Sequence, residues 1–136
     1  MRIYKTVVRV RYAETDAMGF AHHSHHLSWF EMGRTEFLRE RGYPYRSLEE
    51  KNCFMPVVEI GCCYLAPARY DDMLEIETQL EEITNAKIRF SYKIKKLEEN
   101  HLIATGFTLH ACTDEKGAPK RIPPMMKEMV KDHEEG

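Results

Sequence analysis

The chain has 136 residues, with 20 lysines and arginines against 22 aspartates and glutamates and a formal net charge of −2. That length fits one domain able to bury roughly two thirds of the surface of its unfolded form, and leaves no room for a second. The near balance of charge gives no footing for nucleic-acid binding or for steering to an anionic membrane, so any basic site must be local.

No apolar run approaches the roughly 18 residues of a membrane span, and the segment Met1-Arg-Ile-Tyr-Lys-Thr6 lacks the apolar core of a signal peptide. The chain is therefore expected to be soluble and cytoplasmic. Its cysteines, Cys53, Cys62, Cys63 and Cys112, show no Cys-x-x-Cys spacing, so they read as buried thiols and not as a zinc knuckle or a disulfide frame. Cys62 and Cys63 are adjacent and would point to opposite faces of a strand.

From Tyr4 to Tyr12 the positions Tyr4, Thr6, Val8, Val10 and Tyr12 alternate with Lys5, Val7, Arg9 and Arg11. This two-residue period predicts a strand with one mostly apolar face, on which Tyr12 continues the inward side. Asp16 and Gly19 mark a turn. From Ser24 to Arg41 the period becomes helical: Leu27, Phe30, Gly33, Arg34, Phe37 and Leu38 share one broad side, with Ser28, Thr35, Glu36 and Arg39 towards the other. Gly33 within the apolar arc costs about 1 kcal/mol of helix propensity relative to alanine, and close approach of the helix to a sheet would account for it. Glu31 and Arg34, three apart, predict an ion pair within the helix or at a subunit interface. Gly42 supplies the C-terminal stop, with Pro44 just beyond.

A loop from Tyr43 to Pro56 leads to four more strands. Val57 to Leu65 is apolar on both faces, as in a central or interface strand. Met73 to Glu82 places Leu74, Ile76, Thr78 and Leu80 inward against Glu75, Glu77, Gln79 and Glu81. Asn85 makes a turn, and Lys87 to Lys95 alternates Ile88, Phe90, Tyr92 and Ile94 with Lys87, Arg89, Ser91, Lys93 and Lys95. The outward acidic and basic rows predict cross-strand ion pairing in an antiparallel hairpin. Leu102 to Thr113 forms the last strand, Asp114-Glu-Lys-Gly117 a turn, and Pro124 to His133 a short terminal helix. The order is an α+β layout, with one helix covered by one antiparallel sheet and no internal repeat.

Tyr12 to Phe37 gathers a carboxylate, a glycine turn and a histidine-rich helix start in one short stretch. A helix start presents unpaired N–H groups and a positive dipole end, which could stabilise a substrate oxygen becoming negative next to Asp16. The plainer role for Asp16 is that of a turn or helix cap. His22/His26 and His23/His26 have spacings that bring side chains together on a helix, but no His-Glu-x-x-His pattern accompanies them, and no metal is expected to be required. There is no Gly-x-x-x-x-Gly-Lys phosphate loop.

Thr15-Asp16-x-x-Gly19, the aromatic-rich helix after it and the loop Tyr64-Leu-Ala-Pro-Ala-Arg-Tyr-Asp-Asp72 together resemble the hotdog-fold acyl-CoA thioesterases of the 4-hydroxybenzoyl-CoA thioesterase type. The resemblance runs from about Thr6 to Pro123. It implies a single α+β hotdog domain over residues 1–136, in which a five-stranded antiparallel sheet wraps one long central helix and two subunits pair their sheets. It further implies a homodimer or homotetramer that hydrolyses acyl-CoA to free acid and coenzyme A without a metal or organic cofactor.

In that family the acid matching Asp16 activates a water as general base or attacks the thioester carbonyl, and the sequence leaves both routes open. His23 matches a position where some members place a substrate-directed histidine. Tyr12 matches a tyrosine that some relatives place in the site, a core tyrosine being the equal alternative. The amides of His23, Ser24 and His25 are expected to bind the oxyanion, with Gly19 shaping the turn beside the substrate. His26 stands where many members carry tyrosine, a departure that leaves it as a substrate-lining residue without a defined role. For the coenzyme A phosphates the candidates are Lys87, Arg89, Lys93 and Lys95 on one strand face, or Lys120 and Arg121, with Arg121 taken as substrate-binding. Arg69 is read as fixing its own turn. The alternatives are a hotdog hydratase or dehydratase, and a non-catalytic acyl-thioester binding or assembly module in which Asp16 only makes a turn.

Overall fold

The structure, a computed structural model, describes residues 3–131. Its elements are β1 (Ile3–Arg9), α1 (His25–Glu40), α2 (Tyr45–Glu50), β2 (Val57–Tyr64), β3 (Met73–Ile83), β4 (Lys87–Lys96), β5 (His101–Ala111) and α3 (Glu128–Lys131). The strands form one five-stranded sheet in the order β1-β3-β4-β5-β2, with every neighbouring pair antiparallel. Among the described residues no helix is long and apolar enough to cross a membrane.

The alternation in β3 and β4 becomes the core. Leu74, Ile76, Thr78, Leu80, Ile88, Phe90, Tyr92 and Ile94 are all buried. The register sets Glu75 opposite Lys95 and Glu77 opposite Lys93, but neither pair closes into the expected cross-strand ion pair among the described residues. Glu75 instead reaches Lys5 of β1 at 4.0 Å. Across this inner face lies α1, in contact with β1, β3 and β4. Phe30 stacks on Tyr92 with centroids 4.4 Å apart, and Phe37 meets Phe90 edge-on at 5.6 Å.

Gly33 is where helix and sheet come closest: a Cβ there would fall on Thr78 Oγ1 and lie 2.8 Å from Ile76 Cγ2. This contact also sets the rotation of the helix. His26, Trp29, Phe30 and Phe37 lie three, four or seven positions from Gly33 and are buried, whereas Leu27, expected on the inner face, is 37% exposed. Gly42, at φ +86°, ends the helix as expected.

Other expectations need correction. The first strand ends at Arg9, and Tyr12–Glu14 forms a 3₁₀ turn in which the buried Glu14 carboxylate accepts the Arg11 N–H at 2.8 Å. Tyr12 is thereby turned outward and is 78% exposed. The loop from Tyr43 to Pro56 contains α2, held by the buried Leu48 and capped where Lys120 Nζ donates to the carbonyls of Lys51 (3.2 Å) and Asn52 (2.7 Å). Because α2 brings a phenol to the helix, Arg34 Nε donates to Tyr45 Oη at 2.9 Å, in place of the expected pairing with Glu31. The strand β2 occupies a sheet edge, so Val57, Val58 and Ile60 are exposed. Of the cysteines only Cys53 and Cys112 are buried, with their sulfurs 3.2 Å apart; Cys62 is half-buried and Cys63 exposed, as opposite faces of an edge strand dictate. Pro124–Lys127 is a 3₁₀ turn running into α3, and His133 lies outside the described residues.

Three polar side chains on β4 and β5 are satisfied in series, whereas the buried hydroxyls of Thr6 and Thr78 have no hydrogen-bond partner among the described residues. Tyr92 Oη lies 2.6 Å from Thr108 Oγ1, Thr108 Oγ1 lies 2.8 Å from His110 Nε2, and His110 Nδ1 lies 3.1 Å from the Met55 carbonyl. A carbonyl only accepts, so Nδ1 carries the imidazole proton; Nε2 accepts from Thr108, which in turn accepts from Tyr92. Burial, reinforced by the Arg34 charge, pushes the His110 pKa down to about 4 from 6.5, which keeps the ring neutral at neutral pH and makes Nε2 the acceptor of this chain.

Two outcomes follow from this core. The unfolded chain protonates His110 near pH 6.5 while the folded chain resists to about pH 4, so stability falls as the pH drops through that window, by about 3 kcal/mol from this residue. Urea midpoints measured against pH test this, and His110→Gln should flatten the slope. Gly33→Ala gains about 1 kcal/mol in helix propensity but overpacks the helix–sheet contact. A net loss of about 1–2 kcal/mol in urea unfolding is expected.

Candidate active site

The turn after β1 is built around Asp16. Its N–H donates to the Phe20 carbonyl (2.8 Å), its own carbonyl accepts the Gly19 N–H (3.0 Å), and Gly19 closes the turn at φ +82°. Asp16 Oδ1 accepts the N–H groups of Met18 (2.9 Å) and Phe20 (3.2 Å). The other oxygen, Oδ2, takes no hydrogen bond from the described residues. The carboxylate therefore holds the turn with one oxygen and keeps the second free, so the turn-capping and chemical roles are compatible.

The loop that follows β2 buttresses this turn. Ala21 N–H donates to the Ala68 carbonyl at 2.7 Å, and Tyr70 N–H to the Gly19 carbonyl at 3.0 Å. The Arg69 guanidinium lies 4.9 Å from the centre of the Phe20 ring, and the Arg69 N–H is held by Asp72 Oδ2 at 2.8 Å. Arg69 thus serves its turn, as its sequence context implied. Between the two loops and the start of α1 opens a cleft of about 440 Å³, bounded by Asp16, His22, His23, His26, Tyr64 and Pro67 among others. A wider groove of about 680 Å³ runs between β1 and α1 past Val7, Glu31 and Met32. It contains none of the site residues expected from the sequence.

At the helix start most backbone donors are already engaged. His22 N–H donates to Glu14 O (2.9 Å), His25 N–H to His22 O (3.1 Å), His26 N–H to His23 O (3.3 Å) and Leu27 N–H to Ser24 O (3.3 Å). The Ser24 N–H turns to His22 Nδ1 at 3.3 Å, and the Ser24 hydroxyl meets the same nitrogen at 2.8 Å. The expected trio of His23, Ser24 and His25 therefore narrows to the His23 N–H, which makes no hydrogen bond among the described residues. The physical reason is the tight turn preceding His25, where α1 begins.

His26 is buried, 4.8 Å from the Trp29 ring and 4.8 Å from the Tyr64 ring, which it meets edge-on. Its Nδ1 lies 3.1 Å from the His23 carbonyl and so carries the proton. Burial lowers its pKa below the ordinary histidine value, prevailing over the backbone hydrogen bonds that oppose the shift. His23 is exposed and lies against His22, with ring centroids 4.1 Å apart. Among the described residues no three His, Cys, Asp or Glu side chains are placed to hold a metal ion.

Tyr12 and Arg121 are not brought to the cleft. Tyr12 packs edge-on against Tyr70 at 5.7 Å, outside it. Arg121 is exposed and precedes Ile122, whose N–H binds Asn85 O in the β3–β4 turn. That turn caps the end of the sheet opposite the start of β3, where Asp72 O accepts the Val10 N–H.

Tyr64, in contrast, was assigned no role by sequence reasoning. It lines the cleft, and its hydroxyl donates to the His23 carbonyl at 2.9 Å. Burial, with Cys62 alongside, pushes its pKa up to about 12. The signal available was parity along β2, where Ile60, Cys62 and Tyr64 share the inner face.

Residues 10–130 match the family described as the thioesterase-like superfamily. The chain is 33% identical over 122 residues to the acyl-CoA thioester hydrolase YbgC of Escherichia coli O157:H7, covering 89% of this chain and 90% of that one. Protein TT1821 of Thermus thermophilus superposes with a TM-score of 0.86 at 38% identity, covering 93% of this chain and 96% of that one. The DHNA-CoA thioesterase of Staphylococcus aureus superposes with a TM-score of 0.90 at 26% identity, covering 98% and 92%.

Proposed function

The chain belongs to the thioesterase-like superfamily, and on that basis we propose that it hydrolyses acyl-CoA thioesters to a free carboxylic acid and coenzyme A, with Asp16 and the His23 N–H as its reacting groups. One observation carries the assignment: the free Oδ2 of Asp16 and the free N–H of His23 belong to residues lining the same cleft. The thioester oxygen accepts the His23 N–H, which stabilises the charge that develops as the carbonyl is attacked. Asp16 Oδ2 takes a proton from the attacking water or forms the new bond to carbon itself. The carbon–sulfur bond then breaks and the thiolate leaves, to be protonated as coenzyme A; on the second route a water then hydrolyses the acyl–Asp16 anhydride, which releases the acid and restores the carboxylate. The His23 ring orients substrate or water. Neither route uses a metal or organic cofactor.

The exposed edge of β2, with Val57, Val58 and Ile60 uncovered, supports a homo-oligomer built by pairing this strand with its copy. A two-fold axis there sets the Val57 end of one copy beside the Tyr64 end of the other. The far end of the sheet, with Arg121, then approaches the neighbour's cleft, where the coenzyme A phosphates require a cation. A cytoplasmic location belongs to the same proposal.

Asp16→Asn keeps an Oδ1 acceptor for the Met18 and Phe20 amides but removes the base or nucleophile. Hydrolysis of an acyl-CoA panel should fall by about 10² to 10⁴ with the fold intact. His23→Ala leaves the backbone donor in place and should cost about tenfold. Full activity in Asp16→Asn together with a dead His23→Ala would move the base to the histidine cluster. Sedimentation should show a dimer or tetramer at micromolar concentration, and a monodisperse monomer would overturn the shared-edge assembly.

A further inference from the structure

We propose that Tyr64 is a positioning residue of this reaction: its hydroxyl, bound to the His23 carbonyl, fixes the direction in which the His23 N–H meets the substrate. The inference rests on the hydrolase reading above and assigns a role to a side chain on a different element from Asp16 and His23.

The His23 carbonyl receives three donors: the His26 N–H at 3.3 Å, His26 Nδ1 at 3.1 Å and Tyr64 Oη at 2.9 Å. A carbonyl oxygen has two lone pairs, so the two donors from within the helix start already satisfy it. The tyrosine bond is not needed to rescue an orphaned acceptor. Nor does the phenol need it, because Tyr64 is 45% exposed and its hydroxyl could be hydrated by solvent. What the bond does, with the edge-on packing of the Tyr64 and His26 rings, is join β2 to the first turn of a helix that lies mainly on β1, β3 and β4.

The consequence for His23 is geometric. Planar peptides leave two soft dihedrals at this residue, one on each side of its Cα. The preceding peptide is held through its carbonyl, His22 O, which accepts the His25 N–H (3.1 Å), and one peptide further back the His22 N–H is tied to Glu14 O (2.9 Å). The following peptide is held through its carbonyl by Tyr64 together with the two His26 donors, and Tyr64 is the one of the three that lies outside the helix start. With both anchored, the remaining N–H, on a residue that lines the cleft, has a defined direction, which is what a donor to a developing oxyanion requires. The Tyr64 ring adds to this by standing edge-on to both His23 (6.0 Å) and His26 (4.8 Å). Its raised pKa keeps the hydroxyl a donor throughout the neutral range.

Tyr64→Phe removes the hydroxyl and keeps the ring. The expected result is a fall of about tenfold in kcat, with KM and melting temperature unchanged and faster hydrogen exchange confined to the His26 amide and its neighbours. An unchanged kcat overturns the proposal. So does a rise in KM alone, which would make Tyr64 a substrate contact, and so does a lowered melting temperature with faster exchange along all of α1, which would make it structural support. If the wild-type protein hydrolyses no member of an acyl-CoA panel, the hydrolase reading fails by itself. The exchange comparison still decides whether Tyr64 anchors His23.

Discussion

The contact on which the rest of the structure depends is the seating of Gly33 on β3. Because there is no side chain at this position, the helix axis sinks until Thr78 and Ile76 meet the backbone. That depth fixes the rotation of α1, which sends Trp29, Phe30 and Phe37 into the core and His26 beneath the cleft. It also fixes where the first turn emerges. A helix set higher would carry His23 away from Asp16, whose position is decided separately, by the loop that follows β2.

The domain divides into a stiff half and an open half. Over β3 and β4 the inner surface is aromatic and aliphatic, closed by stacked Phe30 and Tyr92. Towards β5 it becomes polar, with a relay from Tyr92 through Thr108 and His110 to the Met55 carbonyl and the buried Arg34 beside it. Such a relay is costly unless every member is paired, and here the three side chains and the carbonyl are. Beyond β5 lies β2, paired on one side only. The candidate chemistry sits at the boundary between the rigid half and this unfinished edge.

Much of this was legible in the sequence, for physical reasons that differ by element. β3 and β4 could be read because a half-buried strand must alternate, and Gly33 because glycine in an apolar helical arc needs a steric reason. The Asp16 turn was legible from its glycine three residues on. Tyr12 was misplaced because the two-residue period runs on past Arg9, and only a buried Glu14 carboxylate, seen in three dimensions, ends the strand. Leu27 was misplaced because a histidine and a tryptophan took the buried positions beside it, an exchange no hydropathy pattern distinguishes. The partner of Arg34 lies across a loop that was not recognised as helical. Which amide stays free at the helix start depends on individual hydrogen bonds, and no residue spacing encodes them.

The cysteines extend these contrasts into chemical reactivity. Cys53 and Cys112 face each other inside the core, shielded from reagents in solution, and burial with mutual contact pushes the Cys53 thiol up to about 12. Cys62 is half-buried and shifted upward too, mainly by burial. That leaves Cys63, exposed on the outer face of the edge strand β2, as the thiol that alkylating reagents meet first. A single label there, without any substitution in the chain, would sit on the strand that carries Tyr64, and its accessibility would report whether that edge is bare or covered.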